Sequence, residues 1–279
     1  MSGHQTVMFL FEKDGKPPDL RLGPLFLQSV AFAGFGITAG ILLFPAEASL
    51  VGVFLIALGQ ARTVHALLDR NRDEIWGKLC SPREANLRLA VAQGVIFAGV
   101  LVAYGAAALV LPEARALEAL ARQVGDYGGR SLADVRFDGV GVVLGHNLVV
   151  ALVGFLFALL YRHGGLLLVL AWNASVWGAV FPWLARTAPD AGAGGTLVYL
   201  AKTLAAILPH LAPEAAAYVL VATAGVFLSK TVARYEWGEP RFKQAAGASA
   251  RLLGLGLALL AGASLVEAFV TPALVALLF

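Results

Sequence analysis

Long apolar stretches, each bounded by a short cluster of charge or by proline and glycine, set the plan of this chain. The first, residues 22–44, is interrupted only by uncharged polar residues such as Gln28, Ser29 and Thr38. Pro45, Ala46 and Glu47 then make a tight turn. A second run over 50–61 reaches spanning length only by extending toward His65 and Leu68. A hydrocarbon core of about 30 Å needs about 20 helical residues, so these two runs read as a helical hairpin. Further spans are predicted at 89–111, 139–161, 166–184, 213–232 and 252–275. Residues 196–208 are helical in pattern but carry Lys202 and stop at Pro209. That is too short to span, so 196–211 is predicted as a re-entrant or interfacial half-helix.

The expected fold is therefore all-α: a polytopic transmembrane helical bundle of about seven spans with a broken or re-entrant helix before span six. It forms one membrane domain over 1–279. Residues 1–138 make an N-terminal three-helix part and residues 139–279 a four-helix core containing the half-helix.

The polar segments give a direction to this plan. Residues 62–88 hold Arg62, Arg70, Arg72, Lys78, Arg83 and Arg88 against Asp69, Asp73, Glu74 and Glu84. Lys230, Arg234, Arg241 and Lys243 mark the loop after span six. Basic bias marks cytoplasmic loops, and seven spans put both clusters on one side. The N-terminus is then cytoplasmic and the C-terminus extracytoplasmic in a multi-pass cell-membrane protein. The inner loop 62–88 is expected to hold a short interfacial helix ending before Pro82. The outer segment 112–138 opens with apolar residues at helical spacing in LPEARALEALARQV, an amphipathic surface helix. Residues 7–11 read as a short strand and turn or an interfacial anchor.

Composition agrees with a lipid environment. The chain is 59% hydrophobic and only 14% charged, too little charge to cover a water-soluble domain of 279 residues. Its net charge of +3 is dispersed between the spans, so no nucleic-acid partner is expected. Cys80 is the only cysteine, which excludes an intrachain disulfide and any multi-cysteine metal site. No nucleotide-binding, serine-hydrolase or zinc-protease motif is present. The reading is non-catalytic, with no cofactor.

Polar side chains at membrane depth are costly unless paired, and so point to function or to helix contacts. The candidates are His146 and Asn147 in span four, Asn173 in span five, His210 and Glu214 at the break before span six, and Glu267 in the last span. His210 and Glu214 are four apart and can share a helix face. Pro213 suits the first turn of span six, where Glu214 meets the positive helix end. The bland reading is a cap plus polar glue between helices. The sharp one is an inward cluster of His146, Asn173, Glu214 and Glu267 that relays a proton or cation. His210 and Glu214 supply two metal ligands, and four only if packing adds His146 and Glu267. Small residues recur at Gly36/Gly40, Gly141/Gly145 and Gly254/Ala258/Gly262, where helices can approach closely.

From residue 140 to 275 the chain resembles the stage II sporulation protein M family. The resemblance rests on Asn147, on Asn173 before Gly178, and on Leu208-Pro209-His210 with Glu214 leading to Gly225 and Ser229. It ends in Leu265, Val266, Glu267, Ala268, Phe269, Val270, Thr271 and Pro272. Family members commonly have Asn-Gly and His-Gly where this chain has Asn173-Ala174 and His210-Leu211. Residues 1–140 show no specific match. The resemblance implies a membrane subunit: the namesake takes part in septal peptidoglycan remodelling alongside separate cell-wall hydrolases, without cutting wall itself.

Two functions follow as expectations. One is a scaffold or channel-like subunit of a multiprotein membrane complex, contacting lipid and forming a homo-oligomer or binding partner membrane proteins. The other is a small-molecule, ion or lipid transporter or channel that uses Glu214 and Glu267.

Overall fold

The computed structural model describes residues 21–125, 139–188 and 195–279; the segment 7–11 lies outside them. Regular structure among these residues is entirely helical: α1 (Leu22–Leu43), a 3-10 turn (Pro45–Glu47), α2 (Ala48–Trp76), α3 (Pro82–Val110), α4 (Glu113–Ala119), α5 (Ala121–Val124), α6 (Val140–Tyr161), α7 (His163–Thr187), α8 (Gly195–Arg234) and α9 (Pro240–Leu278). Seven of them, α1, α2 with its leading turn, α3 and α6 to α9, are long and apolar enough to cross a membrane. The chain is an all-α, multi-pass integral membrane protein.

Local chemistry sets the helix ends. Ser81 caps α3 by accepting the Glu84 N–H at 3.2 Å, and Pro82 occupies the first turn, where no N–H is needed. At the other end of α3, the Arg186 guanidinium donates to the carbonyls of Ala108 and Leu111, at 3.0 and 2.6 Å. The turn between α6 and α7 is the single residue Arg162, at φ +55°. It is so tight that a Cβ on Gly165 would run into the Phe157 carbonyl.

The helices outrun their apolar parts. The polar segment 62–88 is not a loop with a separate interfacial helix. Helix α2 continues unbroken to Trp76 and α3 begins at Pro82, leaving only a short connection. Ion pairs hold these extensions: Glu74 takes Arg70 at 2.7 Å on its own helix and Arg88 at 2.8 Å from α3, while Asp69 takes Lys230 of α8 at 3.1 Å. The amphipathic segment 112–138 is divided at Leu120 into α4 and α5, and residues 126–138 lie outside the described part. Ser49 latches α4 and α5 to the α1–α2 turn by donating to the Ala119 carbonyl at 3.0 Å and accepting the Arg122 N–H at 3.2 Å.

The expected half-helix 196–211 is likewise no separate element. It runs straight into span six as α8, a helix of 40 residues with Pro209 and Pro213 inside it. The prolines lack the N–H groups that would reach the carbonyls of Ala205 and Pro209. A full break would free several more backbone groups at membrane depth, a larger loss, so the helix carries through.

Helix α7 packs against α2, α3, α6 and α8 and so joins the two halves. Its approach to α3 is close: a Cβ on Gly178 would overlap the Leu101 carbonyl. Gly36 and Gly40 do the same for the α1–α2 hairpin, each placing a Cβ 2.7 Å from a carbonyl oxygen of α2. Gly141, Gly145, Gly254 and Gly262 instead face open space. Amides and hydroxyls add cross-links within lipid-depth packing, with Gln60 donating to Ser29 at 2.8 Å and Thr223 to Gln93 at 3.0 Å. Trp183 is a buried core residue.

Candidate functional site

Helix α8 brings His210, Glu214 and Tyr218 onto one face at steps of four residues, and this face lies against α9 and α6. Because α8 is continuous, Glu214 stands in mid-helix, 19 residues from Gly195 and 20 from Arg234. At 1.5 Å per residue that is roughly 29 Å from either end. The expected placement of Glu214 at a positive helix end is therefore replaced by one deep in the bundle.

Opposite this face, α9 presents Glu267 and Thr271, again four apart. One ligand-capable atom from each of His210, Glu214 and Glu267 lies within 4.8 Å of the others. His210 and Glu214 are buried and Glu267 is half-buried. Two ionised carboxylates this close repel each other, and a cation between them turns repulsion into binding.

Neighbouring groups orient the three. His210 Nδ1 lies 2.8 Å from Thr271 Oγ1, and the Thr271 hydroxyl donates to the Val266 carbonyl at 3.4 Å. In the tautomer with Nδ1 protonated, Thr271 accepts from Nδ1–H and the lone pair of His210 is on Nε2. On the other flank stands Tyr218, one helical turn on from Glu214. Its hydroxyl is 3.4 Å from Asn147 Oδ1 of α6. Asn147 is buried, and its Nδ2 has no partner among the described residues.

The arrangement differs from the expected inward cluster in two members. Glu214 and Glu267 come together, but His146 is exposed on α6 and lies outside the group. Consecutive helix positions are about 100° apart, so burying Asn147 turns His146 away. Asn173 directs its amide nitrogen to the Val169 carbonyl of its own helix, at 2.8 Å. His210 supplies the imidazole in place of His146. Tyr218 and Thr271 were missed. Their i+4 spacing from Glu214 and Glu267 was the available signal.

One nitrogen and two carboxylate oxygens form a donor set suited to Zn2+ and similar divalent ions. Tetrahedral ligands about 2 Å from zinc stand about 3.3 Å apart, so the set needs to close by at most about 1.5 Å. Three protein ligands also leave a coordination position open, unlike the closed four-ligand structural sites.

A family model described as Stage II sporulation protein M matches residues 29–272. The match reaches well back into the N-terminal part, beyond the 140–275 in which the resemblance was read. No curated protein and no solved structure matches the chain.

Proposed function

The chain belongs to the Stage II sporulation protein M family, and from that footing we propose that it moves a divalent cation through the membrane by way of His210, Glu214 and Glu267. The convergence of these three side chains within 4.8 Å, two of them buried, carries the reading. Carboxylates at membrane depth are costly, and here two lie beside an imidazole. The open coordination position fits a cargo that must leave again. Polar side chains also continue along the same face of α8: Thr203, seven residues before His210, is buried with its hydroxyl unpartnered among the described residues.

A second reading, a scaffold subunit of a membrane complex, is favoured by the ion-paired platform at the basic end. Glu74 and Asp69 there fix α2 to α3 and α8. Such a preordered charged surface suits docking of a partner protein. Reconstituted liposomes enclosing a Zn2+ indicator separate the two. Under the transport reading wild type admits Zn2+, and Glu267→Gln abolishes the flux while abundance and oligomer size stay unchanged. Under the scaffold reading wild type shows no flux, and Glu267→Gln lowers stability or breaks assembly.

A further inference from the structure

On the side of α8 facing away from His210 and Glu214, an apolar groove of about 660 Å³ opens between α3, α8 and α9. It runs along α3 from Arg83 to Leu101, roughly 27 Å at 1.5 Å per residue. That exceeds the roughly 15 Å half-thickness of a hydrocarbon core. Arg83, at its basic-end mouth, is its only charged lining residue.

A second cavity of about 140 Å³ adjoins that mouth and shares Asn86 with it. Arg72, Lys230, Arg234 and Arg251 line it, and no acidic residue does. Lys230 and Arg72 are engaged by Asp69. Arg83, Arg234 and Arg251 form no ion pair among the described residues. Trp76 and Tyr235, also lining it, lie 6.3 Å apart, aromatic residues of the kind that sit at headgroup level.

We infer that this composite cleft binds one anionic glycerophospholipid, its acyl chain in the groove and its phosphate among Arg83, Arg234 and Arg251. A purely apolar groove would accept any chain or helix. An acid-free set of unpaired cations joined to its mouth selects a long apolar body with a negative head. A docking helix would have to place an acidic residue at the same point; a phospholipid brings the charge and the chain in one molecule already at this depth. The site is separate from the His210 cluster and does not rest on the transport reading.

The test is native mass spectrometry of the delipidated full chain titrated with phosphatidylglycerol or phosphatidylcholine of identical chains. Phosphatidylglycerol is retained in preference, and Arg83→Gln with Arg251→Gln lowers its retention about fivefold per cation removed. Arg115→Gln, at the opposite end, leaves retention unchanged. Ala216→Trp, which fills the groove without touching charge, also lowers it and covers the case in which the arginine variants fail to fold. Equal retention of the two lipids, or retention unaffected by Ala216→Trp, reduces the cleft to ordinary boundary lipid and overturns the proposal. Displacement of phosphatidylglycerol by soluble glycerol 3-phosphate at equal concentration overturns it too, since the groove then contributes nothing.

Discussion

The His210 imidazole and the Thr271 hydroxyl meet 2.8 Å apart across the seam between α8 and α9. This contact engages Nδ1, leaves Nε2 as the nitrogen facing a metal, and ties the ligand-bearing faces of the two helices together. Thr271→Val keeps the shape but removes the acceptor. Loss of such an orienting partner typically weakens metal binding by about tenfold to a hundredfold. We expect that loss in a Zn2+ titration of the purified protein, with thermal stability nearly unchanged and Thr271→Ser close to wild type.

In the proposed site Glu214 and Glu267 serve one ion, so their effects should not add. Either single change to Gln removes an oxygen ligand and lowers the affinity for Zn2+ steeply. The double variant loses little more, because coupled ligands are not independent. Binding also weakens as pH falls, since protons and metal compete for the same carboxylate and imidazole atoms. Titrations of wild type and the three variants at several pH values check both points.

Glu74 holds charged partners on two helices, Arg70 at 2.7 Å and Arg88 at 2.8 Å, and its own side chain is 7% exposed. Glu74→Gln removes the charge from both hydrogen bonds and leaves the arginines facing a neutral group. A cost of about 2 kcal/mol is expected for a charge-assisted contact of this kind. A double-mutant cycle with Arg88→Gln, read by thermal unfolding in detergent, measures the α2–α3 share.

Gly178 separates tolerated from untolerated glycine changes. Gly178→Val drives a branched side chain into the Leu101 backbone and should prevent α3 and α7 from closing. Gly145→Ala, in open space, should be neutral or slightly stabilising. Size-exclusion profiles after detergent extraction distinguish the two: aggregated or absent protein for the first, a wild-type peak for the second.

The seven spans were legible because lipid imposes a length and an apolarity on every crossing helix, and the runs at 22–44 and 139–161 meet both almost to the residue. Helix beyond the apolar core left no such trace. Arg70, Glu74, Glu84 and Arg88 are polar by composition, and only their pairing, along each helix and from Glu74 to Arg88 between α2 and α3, shows why helix persists there. Pro209 was read as a stop because in water it commonly is one. At membrane depth the alternative backbone has no solvent to satisfy it, and α8 runs on. Glu214 and Glu267 stood out in sequence as carboxylates in apolar surroundings. That His210 and not His146 joins them depends on helix rotation, which a single sequence does not encode locally.

Zn2+ stoichiometry on the protein in lipid nanodiscs decides whether His210, Glu214 and Glu267 form one cation site. One tightly held ion per chain is expected in wild type, lost in both His210→Ala and Glu267→Gln while their melting temperatures stay near wild type. No tight uptake by wild type, or uptake that both variants retain, would contradict it.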